Sequence, residues 1–194
     1  STPLQLCLMT AQLANGGFKL KPRLVVDDSN ESNDIKKYLD FKKENPNDTR
    51  STDQQIFSFN LEPLFRNQEN INFVKDAMFA ASNEPGGTSY VSRHRDKKFM
   101  FAGKTGSSQT RRFTQAQREA EVKQQDITYL ERDHAWFVAF APVKDPRYAI
   151  SVLVEHGGSG SSAAAPLAKK VIKKVIERHE TRSVMTAQQI GENI

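Results

Sequence analysis

Disulfide chemistry is excluded at once: the 194-residue sequence has a single cysteine, Cys7, and so no internal bridge. Cys7 lies on the apolar side of a helical repeat, where a small buried hydrophobe is the simplest role. Long apolar runs are also missing. No stretch approaches the roughly 18 apolar residues that cross a bilayer, and no signal peptide opens the chain, so the segment is expected to be soluble as it stands. Its four histidines (His94, His134, His156 and His179) show no paired ligand spacing, and no second cysteine helps them, so no metal site and no cofactor is expected. Apolar residues make up only 37% of the chain, which points to a stretch that is solvated rather than packed.

The charge is positive, 28 Lys and Arg against 23 Asp and Glu, for a net +5. These cations are spread along the chain with no basic stripe interleaved with aromatics, so a solvated surface is favoured over nucleic-acid binding. The length suits one domain with a real core.

STPLQLCLMTAQLANGG reads as a complete helix, with Thr2 as N-cap, Pro3 at the first helical position and Gly16-Gly17 as the stop. Leu4, Cys7, Leu8, Ala11 and Ala14 are its expected buried face. Lys21 to Val26 suggests a short strand or an extended exit from the helix. Residues 27–55 turn polar, an insertion expected to be solvated and mobile, with at most one short helix anchored by Ile35, Tyr38, Leu39 or Phe41. A second helix is predicted near Gln68 to Ala81, with Ile71, Val74, Ala77, Met78 and Ala81 on one face, ending where Pro85-Gly86-Gly87 forces a turn.

The later half changes texture. Lys98 to Thr110, His134 to Ala141 and Arg147 to Glu155 read as strands, and a Pro-Val-Lys-Asp-Pro turn, Pro142 to Pro146, makes the last two an antiparallel hairpin. HAWFVAFA and RYAISVLVE are apolar on both alternations, so both faces should be covered. Residues 111–133 form a long charged connection, of which Arg111 to Lys123 is read mainly as a solvated helix although a docking surface for a partner protein is the other option. A helix from Leu167 to His179 follows, with Leu167, Val171 and Val175 beside Ala168, Ile172 and Ile176 as its apolar stripe; residues 181–194 are expected to fray. Helices packed on an antiparallel sheet make an α+β fold.

Two nucleotide motifs present themselves and both fail. Gly103-Lys104-Thr105 spells the end of a phosphate-binding loop, but the first glycine should stand six residues before the lysine, where Lys98 is found. Gly158-Ser159-Gly160-Ser161-Ser162-Ala163 satisfies a dinucleotide pattern but has no later strand carrying an acidic residue, so a small-residue turn that brings the last helix close to the sheet is the better reading. Ser58-Phe59-Asn60 spells a Ser-x-Asn motif in a polar context and is read as coincidence.

In the next frame the first string is Lys104-Thr105-Gly106, followed by Ser107. On an edge strand bordering a cleft it offers a cation, two hydroxyls and a gap for an approaching backbone, a set that suits an extended peptide ending in a carboxylate. Lys-Thr-Gly also belongs, with Ser-x-x-Lys and a Ser-x-Asn type motif, to the signature of penicillin-binding proteins and class A β-lactamases.

TPLQLCLMTAQLANGG, PGGTSY, AGKTGSSQ, RDHAWFVAFAPV and YAISVLVEHGGSGSSAAAP, in this order, resemble the class B penicillin-binding proteins, the cell-elongation transpeptidases among them. The resemblance runs from Thr2 to the last helix and is weakest in 27–55 and the tail. It implies that residues 1–194 are the C-terminal part of a single transpeptidase domain, with a partial penicillin-binding, β-lactamase-like fold. It further implies that Lys104 supports the Ser-x-Asn serine electrostatically, that Thr105 and Ser107 hold the substrate carboxylate beside Gly106, and that the backbone N–H of Ser107 is one oxyanion donor. The Ser-x-x-Lys nucleophile motif, which in the family precedes the helix begun at Thr2, occurs nowhere in the chain. The expectation is therefore a serine-type D-Ala-D-Ala transpeptidase that cross-links peptidoglycan stem peptides and binds β-lactams, of which this segment carries one wall and is inactive alone. The resemblance places the parent on the periplasmic side of the inner membrane, held by an N-terminal helix, with elongation proteins including a glycosyltransferase as partners. Two strands that precede this segment in the family leave the last strand with an exposed edge and a route to self-association. A noncatalytic peptidoglycan- or partner-binding module descended from the enzyme is the alternative.

Overall fold

The computed structural model describes residues 1–22, 24, 31–49, 61–65, 67–111 and 126–191. Among the described residues, four α-helices, α1 (Pro3–Ala14), α2 (Glu31–Glu44), α3 (Gln68–Asn83) and α4 (Ala165–Gly191), accompany strands β1 (Ala102–Ser108), β2 (His134–Ala141) and β3 (Tyr148–Val154). The strands form one antiparallel sheet in the order β1-β2-β3, with Gly103 opposite Ala139 and Val138 opposite Ser151.

Both faces of β2 are covered, as its uninterrupted apolar sequence requires. On one face Ala102 and Phe140 pack with Leu13 and Ala14 of α1 and Ile71 and Met78 of α3. On the other, Phe101, Ala135, Phe137, Ala139 and Ala141 pack with Ala168, Ile172 and Ile176 of α4. Phe101 and Phe137 meet edge to face with centroids 5.7 Å apart, and burying each such ring contributes roughly 2–3 kcal/mol.

α1 starts where its sequence says. The Thr2 hydroxyl accepts from the Gln5 N–H while the Gln5 side chain accepts from the Thr2 N–H, and Pro3 needs no partner. It stops at Gly16 and Gly17, whose φ angles of 97° and 87° suit glycine. The buried face is turned from the expected one. Thr10, Leu13 and Ala14 are buried, while Leu4 is exposed and Cys7 half-buried, its thiol donating to the Ala149 carbonyl and pushed up in pKa by burial.

Within the polar stretch lies α2, a 14-residue helix rather than a short one; Tyr38 is buried edge to face against Phe18 at 5.3 Å, with Leu39 packed beside them. Residues 27–30 and 50–55 lie outside the described set. Of the expected strand at Lys21 to Val26, the described residues Lys21, Pro22 and Leu24 are not in a strand; chain pairing here is the single bridge Phe18–Pro63. Along α3, Ile71, Met78 and Ser82 are buried and Val74 and Ala77 are exposed, because the helix turns its Ile71–Ser82 line to α1 and β1. Lys75 lies half-buried on that line, its ammonium donating to the Ala14 carbonyl and its pKa lowered by burial.

The terminal helix departs from expectation twice. Ala168, Ile172 and Ile176 are buried, but Leu167, Val171 and Val175 stand 45%, 46% and 40% exposed, since no described element covers that side. It also continues to Gly191 rather than ending at His179, in a sequence with neither glycine nor proline between 181 and 190 to stop it.

Candidate active site

β1 is an edge strand, and the edge it leaves free is closed over half its length by side chains of α3. Ser82, wholly buried, donates to the Gly103 carbonyl at 3.1 Å and accepts from the Gly103 N–H at 3.0 Å, and Asn83 donates to the Phe101 carbonyl at 2.9 Å. One hydroxyl thus takes both backbone groups that a further strand would take. Since Gly103 turns these groups away from β2, the two-residue alternation of an antiparallel ladder makes Thr105 and Ser107 turn theirs away too. Beyond Gly103 no helix follows the strand, and the edge at Thr105 and Ser107 is open among the described residues.

All four residues singled out in the sequence lie on this half of β1. Lys104 is exposed on the face shared with Ala102, and its ammonium bends back to the Thr105 carbonyl at 3.0 Å. The Thr105 hydroxyl donates to the Thr88 hydroxyl at 3.1 Å, which brings the PGGTSY turn against the strand. Gly106 is exposed, and a Cβ there would meet nothing nearer than the Trp136 Cβ at 3.4 Å, so this stretch presents bare backbone. Ser107 is exposed beyond it. A cation, two hydroxyls and outward-facing N–H groups therefore line one strip of surface, a set that holds a peptide backbone and a carboxylate.

The strip is backed from the α4 side. A Cβ at Gly160 would collide with the Trp136 carbonyl and stand 2.7 Å from the Gly106 oxygen, so only glycine lets the turn of π-helix Gly160–Ala164 press on the sheet there. This is the close helix approach expected of the small-residue turn. At the far end, where Ser108 pairs with His134, the rings of His134 and His156 meet edge to face with centroids 4.7 Å apart and the His156 N–H donates to His134 Nδ1. The ends of the β2–β3 hairpin thus unite two histidines that showed no ligand spacing; among the described residues no group of three or more metal-ligating side chains forms.

Sequence reasoning missed Ser82, Asn83 and the role of Thr88. The available signal was a Ser-Asn pair continuing the Ile71–Met78 line of an amphipathic helix, where an apolar residue would be expected. Ser58-Phe59-Asn60 and residues 112–125 lie outside the described residues.

Residues 1–173 match the family described as penicillin binding protein transpeptidase domain. The peptidoglycan D,D-transpeptidase MrdA of Salmonella typhimurium LT2 is 27% identical over 177 residues, which is 91% of this chain and 25% of that protein. MrdA of Haemophilus influenzae is 35% identical over 99 residues, 51% of this chain and 15% of that protein. Among solved structures, Pseudomonas aeruginosa PBP2 in complex with WCK 5153 is similar at 27% identity and a TM-score of 0.56 over 90% of this chain and 30% of that one. Helicobacter pylori PBP2 shares the fold at 24% identity and a TM-score of 0.54, over 91% of this chain and 24% of that one. The chain spans about a quarter of the length of the Salmonella relative.

Proposed function

This chain belongs to the penicillin-binding protein transpeptidase family, and on that premise we propose that it forms the substrate-binding wall of a peptidoglycan D,D-transpeptidase. The observation that carries the reading is the half-open edge of β1: Ser82 and Asn83 close it as far as Gly103, and the open half bears Lys104, Thr105, Gly106 and Ser107. An extended stem peptide adds to that half as a strand. Its terminal carboxylate lies at the hydroxyls of Thr105 and Ser107, and the Ser107 N–H faces the carbonyl oxygen that becomes the oxyanion. The incoming strand takes over the Thr105 carbonyl now held by the Lys104 ammonium, which leaves that cation for the serine of the Ser-x-Asn motif.

The reaction is acyl transfer. A serine hydroxyl, supplied outside these residues, attacks the carbonyl between the two terminal D-alanines; an ester forms, the amide bond breaks, and D-alanine leaves with the proton on its nitrogen. An amine of a neighbouring stem then displaces the serine and forms the cross-link. β-Lactams resemble the D-Ala-D-Ala end and stop at the ester. In this reading the parent works on the periplasmic side of the bacterial inner membrane, beside elongation proteins that include a glycosyltransferase. Among the described residues no helix is long and apolar enough to cross a membrane. The outer edge of β3, which no strand pairs among the described residues and where the Cys7 thiol donates to the Ala149 carbonyl, and the exposed row Leu167, Val171 and Val175 form a second surface, where parent strands pack or, in the isolated chain, another copy does.

The test is covalent labelling by a fluorescent penicillin. The full-length protein gives a denaturation-resistant band, and Lys104→Met slows its appearance about 100-fold. The 194-residue chain alone gives none. A band on the isolated chain, or unchanged labelling of the full-length Lys104→Met variant, refutes the assignment.

A further inference from the structure

Three residues past Thr88, and so at most about 11 Å along the chain from it, a groove of about 530 Å³ opens between the 3₁₀ turn Tyr90–Ser92 and the first turns of α4. One wall is Val91, Ser92 and His94; the other carries Lys169, Lys170 and Lys173. No acidic residue lines it. Lys173 stands 3.7 Å from Glu177, whereas Lys169 and Lys170 form no ion pair among the described residues. The walls are fixed to each other: His94 Nε2 bonds the Lys169 carbonyl at 3.0 Å, and the His94 ring packs on Phe99 and Phe101. Val91, 91% exposed at the rim, adds an apolar contact.

Solvated lysines on a helix flank are ordinary, but three of them lining a braced concavity whose own lining holds no acidic residue, two of them outside any ion pair among the described residues, suit a carboxylate-bearing chain. The groove also lies near the open strand in the chain path. Thr88, bonded to Thr105, leads directly into its wall, and a stem peptide of four or five residues, at about 3.3 Å each, is long enough to leave the β1 edge and enter it. We propose that this groove is a second subsite for peptidoglycan, in which Lys169, Lys170 and Lys173 bind the side-chain carboxylates of the stem peptide whose end lies on β1. The identity of the ligand rests on the transpeptidase reading; the groove's preference for carboxylates does not.

The experiment measures binding of a dye-labelled stem tetrapeptide to the 194-residue chain by fluorescence anisotropy at low and high salt, with the same peptide carrying amidated side-chain carboxylates and a free terminal carboxylate as the comparison. The triple variant Lys169→Gln/Lys170→Gln/Lys173→Gln weakens binding about tenfold, amidation costs a similar factor, and salt weakens the wild type more than the variant. The control Lys97→Gln, a cation outside the groove, changes affinity less than twofold. All three lysines are surface positions, and the single Lys170→Glu serves as a second variant with the same expected direction. Unchanged affinity in the triple variant, an equal loss in the control, or a glutamate peptide of the same charge binding as tightly as the tetrapeptide each overturns the proposal. If penicillin fails to label the full-length protein while tetrapeptide binding still depends on the three lysines, the transpeptidase reading falls and the carboxylate groove stands; labelling with lysine-independent binding is the reverse.

Discussion

Ser82→Ala tests whether one buried hydroxyl sets the closed half of the β1 edge. The substitution creates almost no cavity, so its cost is electrostatic. It strips the Gly103 N–H and C=O of their partner in a site that excludes water, since Ser82 and Gly103 are both buried. Each buried backbone group left unsatisfied costs about 1–3 kcal/mol, which gives roughly 2–6 kcal/mol for the pair. Ser89 does not rescue it. The Ser89 hydroxyl lies 3.1 Å from Ser82 and 3.1 Å from the Ala81 carbonyl, and with one proton to give it turns to Ala81 once Ser82 is gone. For a chain of this length the loss lowers the melting temperature by about 6–12 °C. Urea unfolding followed by far-UV circular dichroism measures the free energy, and amide exchange at Gly103 and Thr105 reports the edge directly. A variant within about 0.5 kcal/mol of the wild type, with exchange unchanged, would refute the clamp.

The two glycines that face each other across the strip should behave in opposite ways. Gly160→Ala drives a methyl into the Trp136 carbonyl and is expected to destabilise by about 3 kcal/mol or more in urea unfolding, whereas Gly106→Ala costs under about 1 kcal/mol yet abolishes penicillin labelling of the full-length protein; equal stability losses would contradict the packing described. The isolated chain is expected to sediment as dimers or larger species at high micromolar concentration through the β3 edge, and Val171→Lys/Val175→Lys to return it toward monomer. A wild type that stays monomeric removes that reading. Burial raises the Cys7 thiol pKa, so the thiolate fraction at a given pH is below that of an open thiol, and the midpoint of its alkylation rate lies above the ordinary cysteine range. The same shift means that the folded state holds its proton at pH values where the unfolded thiol has lost it, so this contribution to stability is complete below the unfolded pKa and fades as pH rises through the folded one. A midpoint at or below the ordinary value sinks that account.

The strands were legible because their signal is local. An eight-residue run that is apolar on both alternations can only be a doubly covered strand, and His134–Ala141 forms over the predicted range. The same holds for the start of α1, where Thr2, Pro3 and Gln5 carry the cap among themselves. Helix faces were less legible. Counting apolar spacings put Leu4, Val74 and Leu167 inside, but which apolar row a helix buries depends on the neighbours it meets, and these three stay 64%, 37% and 45% exposed.

The site divided along the same line. Lys104, Thr105, Gly106 and Ser107 could be read from residue chemistry, because an ammonium, two hydroxyls and a bare backbone on one strand have few joint uses. Ser82 could not, since serine reads as surface and its partner lies 21 residues away. Yet Ser82 gives the motif its shape. A strand edge open along its whole length would pair with any extended segment, including a second copy of itself; one closed by a side chain up to Gly103 accepts a short peptide in a single register. The residues proposed to hold substrate are thus written in the strand, and the closure that limits its edge is written in a helix that the sequence presents only as part of the core.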